Sequence, residues 1–147
     1  TDWGELDFLL VDLPPGSDKL PNLLDLIPDL AGTIAVTIPS QISQHVVAKS
    51  IHMATEIRTT PILGLVENMS AYVCPKCGHE DDQAGETSTF ALAAKCNVPY
   101  LGQIPYDPLL TSATDSGKPF LKTNAERPAA QAFQKIAKTV AVSLQQN

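Results

Sequence analysis

No glycine-rich phosphate loop of the form G-x-x-x-x-G-K-[ST] occurs in these 147 residues, and the eight glycines are scattered. The chain alone therefore lacks the lysine and the stacked backbone amides that cradle a triphosphate. Basic charge is also scarce, with 10 Lys and Arg against 16 Asp and Glu, a net charge of −6 and a pI of about 4.8. That balance argues against a nucleic-acid-binding surface. No apolar run approaches the roughly 18 to 20 residues that span a bilayer. The opening stretch "TDWGELDF" is acidic where a secretion signal would be basic. Three cysteines are too few, and two of them too close, for a disulfide scaffold. They fit a reducing cytoplasm. With 44% hydrophobic residues, the chain is long enough for one domain with a real core.

What is present reads as alternating buried strands and helices. "LDFLLVDLPPG" (residues 6–16) is an apolar run ended by prolines and glycine, the pattern of a strand buried on both faces. "GTIAVTIPS" is a second strand. Ser40 or Ser43 caps a helix through "QHVVAKSIHMATEI", where Val46, Val47, Ile51, Ala54 and Ile57 recur at helical spacing. "PILGLVENMS" reads as a third strand, "STFALAAKC" as a helix and "VPYLGQIPYDP" as a shorter fourth strand. A final helix runs from Ala129 to Leu144 with Phe133, Ile136, Ala137, Val140 and Leu144 on its apolar face, and Pro128 suits its first turn. The architecture expected is α/β, a mostly parallel sheet flanked by helices. The stretch Val73 to Glu86 is the one long insertion without periodicity, and Asp81 and Asp82 read there as solvated loop charges.

In parallel sheets, ligands bind outside the carboxyl ends of the strands. Asp12, Asn68 and Asp107 all fall at or just after expected strand ends and so share one candidate rim. Asp12, after four apolar residues, matches the carboxylate that holds Mg²⁺ in nucleotide hydrolases, although an Asp ending a strand also simply caps turns. Gly16 beyond it could turn a backbone N–H toward a phosphate. Ser17 and Ser40 have no glycine elbow and no placed histidine, so a serine nucleophile has little support. His45 and His52, seven apart on one helix face, read as surface or packing residues.

"CPKCGHE" puts Cys74 and Cys77 in a Cys-x-x-Cys frame, with His79 close enough to crowd the same turn. Thiolates at this spacing grip one metal ion or neighbouring irons, because the turn aims both sulfurs the same way. A redox pair usually opens a helix that lowers the thiol pKa, and no helical pattern follows here. Spacing alone favours a metal or cluster site and leaves a redox dithiol and an incidental pair equally open behind it. A four-ligand site with two thiolates per chain is best completed by a second chain. Cys96, ending a helix, reads as a small buried hydrophobe.

In order, "LDFLLVDLPPG", "VTIPSQISQHVVAKSIHM", "ILGLVENMS", "CPKCGHE", "VPYLGQIPYDP" and "SGKPF" resemble the C-terminal half of the Mrp/ApbC family. These are cytosolic deviant P-loop ATPases, related to ParA and MinD, that carry iron–sulfur clusters. The resemblance implies a single partial domain over residues 1–147, the C-terminal half of a SIMIBI-type P-loop NTPase, with the phosphate-loop half absent. It implies Asp12 in the Mg²⁺–water network, Gly16 in the switch loop, Asn68 reading adenine, and Pro105 to Asp107 lining the base pocket. It also implies that Cys74 and Cys77 hold a [4Fe–4S] cluster bridging a homodimer, with Zn²⁺ a possible substitute, and that iron–sulfur apoproteins are the recipients. Two stretches depart from the family pattern: "PPGSDK" stands where "PPGTGD" is usual, and "DDQAGETSTF" keeps only Gly85 of a glycine-rich run.

The function expected is therefore that of an iron–sulfur cluster carrier ATPase, in which this chain alone does not hydrolyse ATP. The alternative is a non-enzymatic module that holds Zn²⁺ or a cluster between two chains. Neither nucleic acid nor membrane is expected as a partner.

Overall fold

The computed structural model describes residues 1–14, 19–27, 29–57, 60–73, 77, 79–82 and 88–145. Its elements run α1 (Lys19–Leu26), β1 (Thr33–Thr37), α2 (Gln41–His52), β2 (Ile62–Val73), β3 (Glu80–Asp82), α3 (Thr89–Lys95), β4 (Tyr100–Tyr106), α4 (Pro108–Asp115), α5 (Phe120–Thr123) and α6 (Pro128–Gln145). A π-helical turn, Met53–Ile57, extends α2.

β2 is the centre of the sheet. It pairs in parallel with β1 on one edge and with β4 on the other. Past the end of β1, β2 continues and takes β3 as an antiparallel partner through Ala71–Asp82, Tyr72–Asp81 and Val73–Glu80. Tyr72 is paired with both Asp81 and Tyr106, so β3 occupies the same edge of β2 that β1 occupies lower down. Parallel strands buried on both faces read as continuous apolar runs, and β2 bears this out with Leu65 and Val66 both buried. Val66, Leu101 and Ile104 pack under Ala129, Ala130 and Ile136 of α6. On the other face Leu65 packs with Ile51 of α2 and Ala93 of α3. A third cluster joins Leu20 and Leu24 of α1 to Ala54 in the π-turn.

Most expected elements are present, and four details differ. No strand forms over residues 6–13. Leu6 and Phe8 through Val11 are exposed, Leu10 at 86%. An apolar run becomes a strand only when a ladder partner takes its backbone groups, and none of the described strands pairs with it. Asp12 is consequently an exposed residue on an unpaired segment and does not end a strand. Ala137 is exposed, because the buried face of α6 follows Ala129, Ala130, Phe133, Ile136 and Val140. Asp81 and Asp82 are strand residues, since β2 outruns β1 and leaves an edge that β3 fills. Ser40 takes the N-cap position of α2 without a side-chain cap, while the Ser43 hydroxyl lies 3.0 Å from that of Thr37.

β2 and β4 approach closely at Gly64, next to which the Leu65 N–H donates to the Pro99 carbonyl at 2.8 Å. A Cβ at Gly64 would stand 2.8 Å from that same carbonyl oxygen and 2.5 Å from Leu101 Cγ. Gly64→Ala should therefore cost about 1–3 kcal/mol by overpacking, read as a lower urea midpoint at unchanged slope. An unchanged midpoint would mean that β2 and β4 do not approach this closely.

Candidate functional site

The carboxyl ends of β2 and β4 lie side by side and carry most of the chemistry. At the end of β4, Asp107 has extended backbone and caps α4, its Oδ1 accepting the Leu109 N–H at 2.9 Å. Pro108 follows at the first helical position, where its missing N–H costs nothing. Arg127, just ahead of α6, donates from Nη2 to Asp107 Oδ1 at 3.0 Å and from Nε to Oδ2. This is a bidentate fork on a buried carboxylate, the stronger and more directional form of ion pair. Hydrogen bonding to Asp107 raises the Arg127 pKa, so the guanidinium stays charged. The pair fixes the start of α4 against the start of α6. Between them opens a cavity of about 220 Å³ lined by residues 105–108 and 127–129. That volume suits a single flat ring better than a whole drug-sized ligand.

Asn68 lies on the neighbouring strand, opposite Ile104, one residue before Pro105. It does not line the cavity. Its Oδ1 accepts the N–H of Met69 at 3.0 Å, and Met69 has φ of 58°, left-handed backbone that side chains other than glycine rarely adopt. From here the ladder to β4 is interrupted, with four steps along β2 (Asn68 to Tyr72) against two along β4 (Ile104 to Tyr106). The structure thus sets Asp107 just past the end of β4 as expected, but Asn68 lies within β2, five residues before its end and beside Ile104, because β2 runs on to Val73; Asp12 is left on the exposed segment before α1. Gly16 and Ser17 lie outside the described residues.

Past the interruption β2 runs on to Val73, which pairs with Glu80. The residues between these partners, 74–79, include both cysteines of the Cys-x-x-Cys frame. Cys74 lies outside the described residues, whereas Cys77 sits in a turn, a free and exposed thiol. His79 is exposed as well. Cys96, at the end of α3, is half-buried in the α2–α3 core, and burial pushes its thiol above the ordinary range. Of the two described thiols, Cys77 is the one available to a metal. Among the described residues no group of three or more His, Cys, Asp and Glu side chains gathers around one point.

Sequence reasoning missed Arg127 and Glu67. Arg127 is twenty residues from Asp107, and only the fold makes them neighbours. Glu67 is buried on the α2–α3 face, with Oε1 lacking a hydrogen-bond partner among the described residues. Burial, and then the charge of Glu67, push the Tyr100 phenol up to about 12. A charged residue inside the apolar run "GLVENMS" was the signal available.

A parallel α/β sheet with its candidate ligand groups at the strand ends is the layout of nucleotide-binding folds. Two of the solved structures that align with this chain hold ADP. The septum site-determining protein MinD of Pyrococcus horikoshii, complexed with Mg-ADP, aligns at 28% identity with a TM-score of 0.66, covering 95% of this chain and 52% of that one. A nucleotide-binding protein of Archaeoglobus fulgidus, in complex with ADP and with cobalt, aligns at 39% identity with a TM-score of 0.62, covering 79% of this chain and 47% of that one. Residues 1–141 match the ParA family, described as NUBPL iron-transfer P-loop NTPase. The chain belongs to that family. An iron-sulfur cluster carrier protein of Saccharolobus solfataricus is 40% identical over 146 residues, 99% of this chain and 49% of the relative. A cytosolic Fe-S cluster assembly factor, the NUBP2 homolog of Nematostella vectensis, is 37% identical over 99% of this chain and 54% of the relative. The chain spans about half the length of the curated relatives it matches.

The two described thiols differ enough to be told apart chemically, since the thiolate is the reactive form. Iodoacetamide labelling at neutral pH, read by peptide mass, should modify Cys77 well before Cys96. Labelling of Cys96 should then accelerate as pH rises toward its raised pKa. Equal rates at neutral pH would contradict the burial of Cys96.

Proposed function

We propose that this chain acts in iron–sulfur cluster carriage, as the half of a nucleotide-binding protein that supplies the cluster thiolates and the base-side pocket. The observation that carries this reading is the placement of Cys77, exposed in a turn between the antiparallel strands β2 and β3, in a chain of an iron-transfer NTPase family. In this reading Cys74 and Cys77 hold the cluster as cargo, two thiolates from each of two chains meeting the demand of a [4Fe–4S] cluster or of Zn²⁺. Iron–sulfur apoproteins receive it, in the cytosol, as the name of the Nematostella relative suggests. The ADP in the Archaeoglobus and Pyrococcus structures supports a nucleotide in the longer protein.

The chain's own residues supply part of such a site. Asp107 and Arg127 hold the β4–α4 corner open as a slot for the base, with Pro105 as an apolar wall and Asn68 beside it. Asp12 and Gly16 belong to the Mg²⁺ and phosphate side. No phosphate-loop motif is present in these residues, so ATP hydrolysis is assigned to the longer protein and not to this chain. That same point favours the second reading, a non-enzymatic module in which two chains share Zn²⁺ or a cluster without nucleotide.

Anaerobic reconstitution with iron and sulfide tests the cluster assignment. The chain should gain visible charge-transfer absorbance at one cluster per two chains. Cys74→Ala and Cys77→Ala should each lose it, while Cys96→Ala keeps it. Loss in Cys96→Ala alone, or a loaded monomer, would overturn the shared-cluster reading.

A further inference from the structure

Arg127 has more donors than its ion pair uses. A guanidinium carries five N–H groups in one fixed plane. Two of them, on Nε and Nη2, go to Asp107 along one side of the fork. Nη1 lies on the opposite side and has no hydrogen-bond partner among the described residues. The two members of the pair are not equally open, since the Arg127 side chain keeps 30% of its surface and that of Asp107 only 6%. Both carboxylate oxygens are also engaged, Oδ1 by the Leu109 N–H and by Nη2, Oδ2 by Nε. Of this charged pair, the cation is therefore the member that lines the 220 Å³ cavity with bonding capacity left. Pro105, Pro108 and Pro128, which form much of the remaining wall, bring no backbone N–H to it. The bonds to Asp107 keep the guanidinium charged and its plane fixed before any ligand arrives.

We propose that Arg127 is a specificity-determining residue of this cavity, donating from its unspent N–H groups to an acceptor atom on the edge of a flat heteroaromatic ring. The ligand class is then narrower than an aromatic ring of the right size. The edge turned toward Arg127 carries a ring nitrogen or a carbonyl oxygen. A C–H edge in the same place would strip water from a charged donor and give nothing back, a larger loss than for a neutral hydrogen bond. The proposal rests on the reading of the cavity as a base pocket. It adds to Pro105 and Asn68 a contact that comes from the turn just ahead of α6.

The test uses the full chain with adenosine and its deaza analogues, in each of which one ring nitrogen is replaced by C–H. One analogue should bind about tenfold more weakly than adenosine, the loss expected for a hydrogen bond from a charged donor. Arg127→Met should weaken adenosine and erase that discrimination, so that adenosine and the analogue bind alike. A purely structural fork would weaken all of the rings by the same factor and leave their ratio intact. NMR of the unaltered chain decides even where Arg127→Met fails to fold. Adenosine should shift the guanidinium N–H signals of Arg127 together with the amides of Tyr106, Asp107 and Ala129. Equal binding of every analogue by the unaltered chain would overturn the proposal. So would discrimination that survives in Arg127→Met, or a response of those three amides that leaves the guanidinium signals unmoved. Absence of any response at those amides would instead refute the base-pocket reading, and the proposal with it.

Discussion

Everything else in this structure hangs on the hydrogen-bonding of β2 along both edges. Along its length it pairs with β1 and β4 and, past the interruption after Asn68, with β3 and β4, so the strand runs from the apolar core to Val73 without leaving the sheet. A buried strand with an unpaired edge would leave backbone N–H and carbonyl groups unsatisfied, each a penalty of the order of 1–3 kcal/mol. Pairing on both sides removes that penalty and fixes the register. Register in turn decides that Leu65 faces α2 and α3 while Val66 faces α6. It also decides that Asn68 stands beside the last residues of β4.

The same rule applied to β1 explains the least settled part of the chain. β1 pairs only with β2 among the described strands, and its flank borders a groove of about 390 Å³ lined by Leu13, Pro14, Leu20 and, from α2, Val46, Val47 and Ile51. Earlier in the chain, Leu6 and Phe8 to Val11 are exposed as well. Apolar surface of this kind is where a further element of polypeptide would gain most by packing. The folded part that carries the candidate site is held differently, by two clusters on opposite faces of β2 and by the Asp107–Arg127 fork at its rim.

Much of this was legible from residues alone. Continuous apolar runs ended by Pro, Ser or Asp located β1, β2 and β4, because a strand buried on both faces has no polar alternation to offer. Helical spacing located α2 and α6, and "STFALAAKC" read as the helix that α3 forms; its cap at Ser88, whose hydroxyl accepts the Ala91 N–H, came from the structure. What failed did so for lack of partners that local sequence does not encode. "LDFLLV" has the composition of a strand and no ladder to join, and "EDD" has the composition of a loop and a free edge to fill. Of the rim that strand-end reasoning drew through Asp12, Asn68 and Asp107, only Asp107 follows a strand end; Asn68 lies beside Ile104 within β2, which outruns β1, and Asp12 lies on an unpaired segment. Arg127 was invisible because its role depends on how α6 returns to the sheet. The pairing of Tyr72 with Tyr106 was hidden by the interruption at Met69, which shifts the register by two residues.

Amide hydrogen exchange of the native chain tests the central role of β2 most directly, since exchange reports the opening of individual backbone bonds. The account predicts that the slowest amides are those of Leu65, Val66 and Glu67, that protection persists at Tyr72 and Val73, and that residues 6–13 exchange at unprotected rates. Rapid exchange through Leu65–Glu67, or protection of residues 6–13 as strong as that of β2, would contradict it.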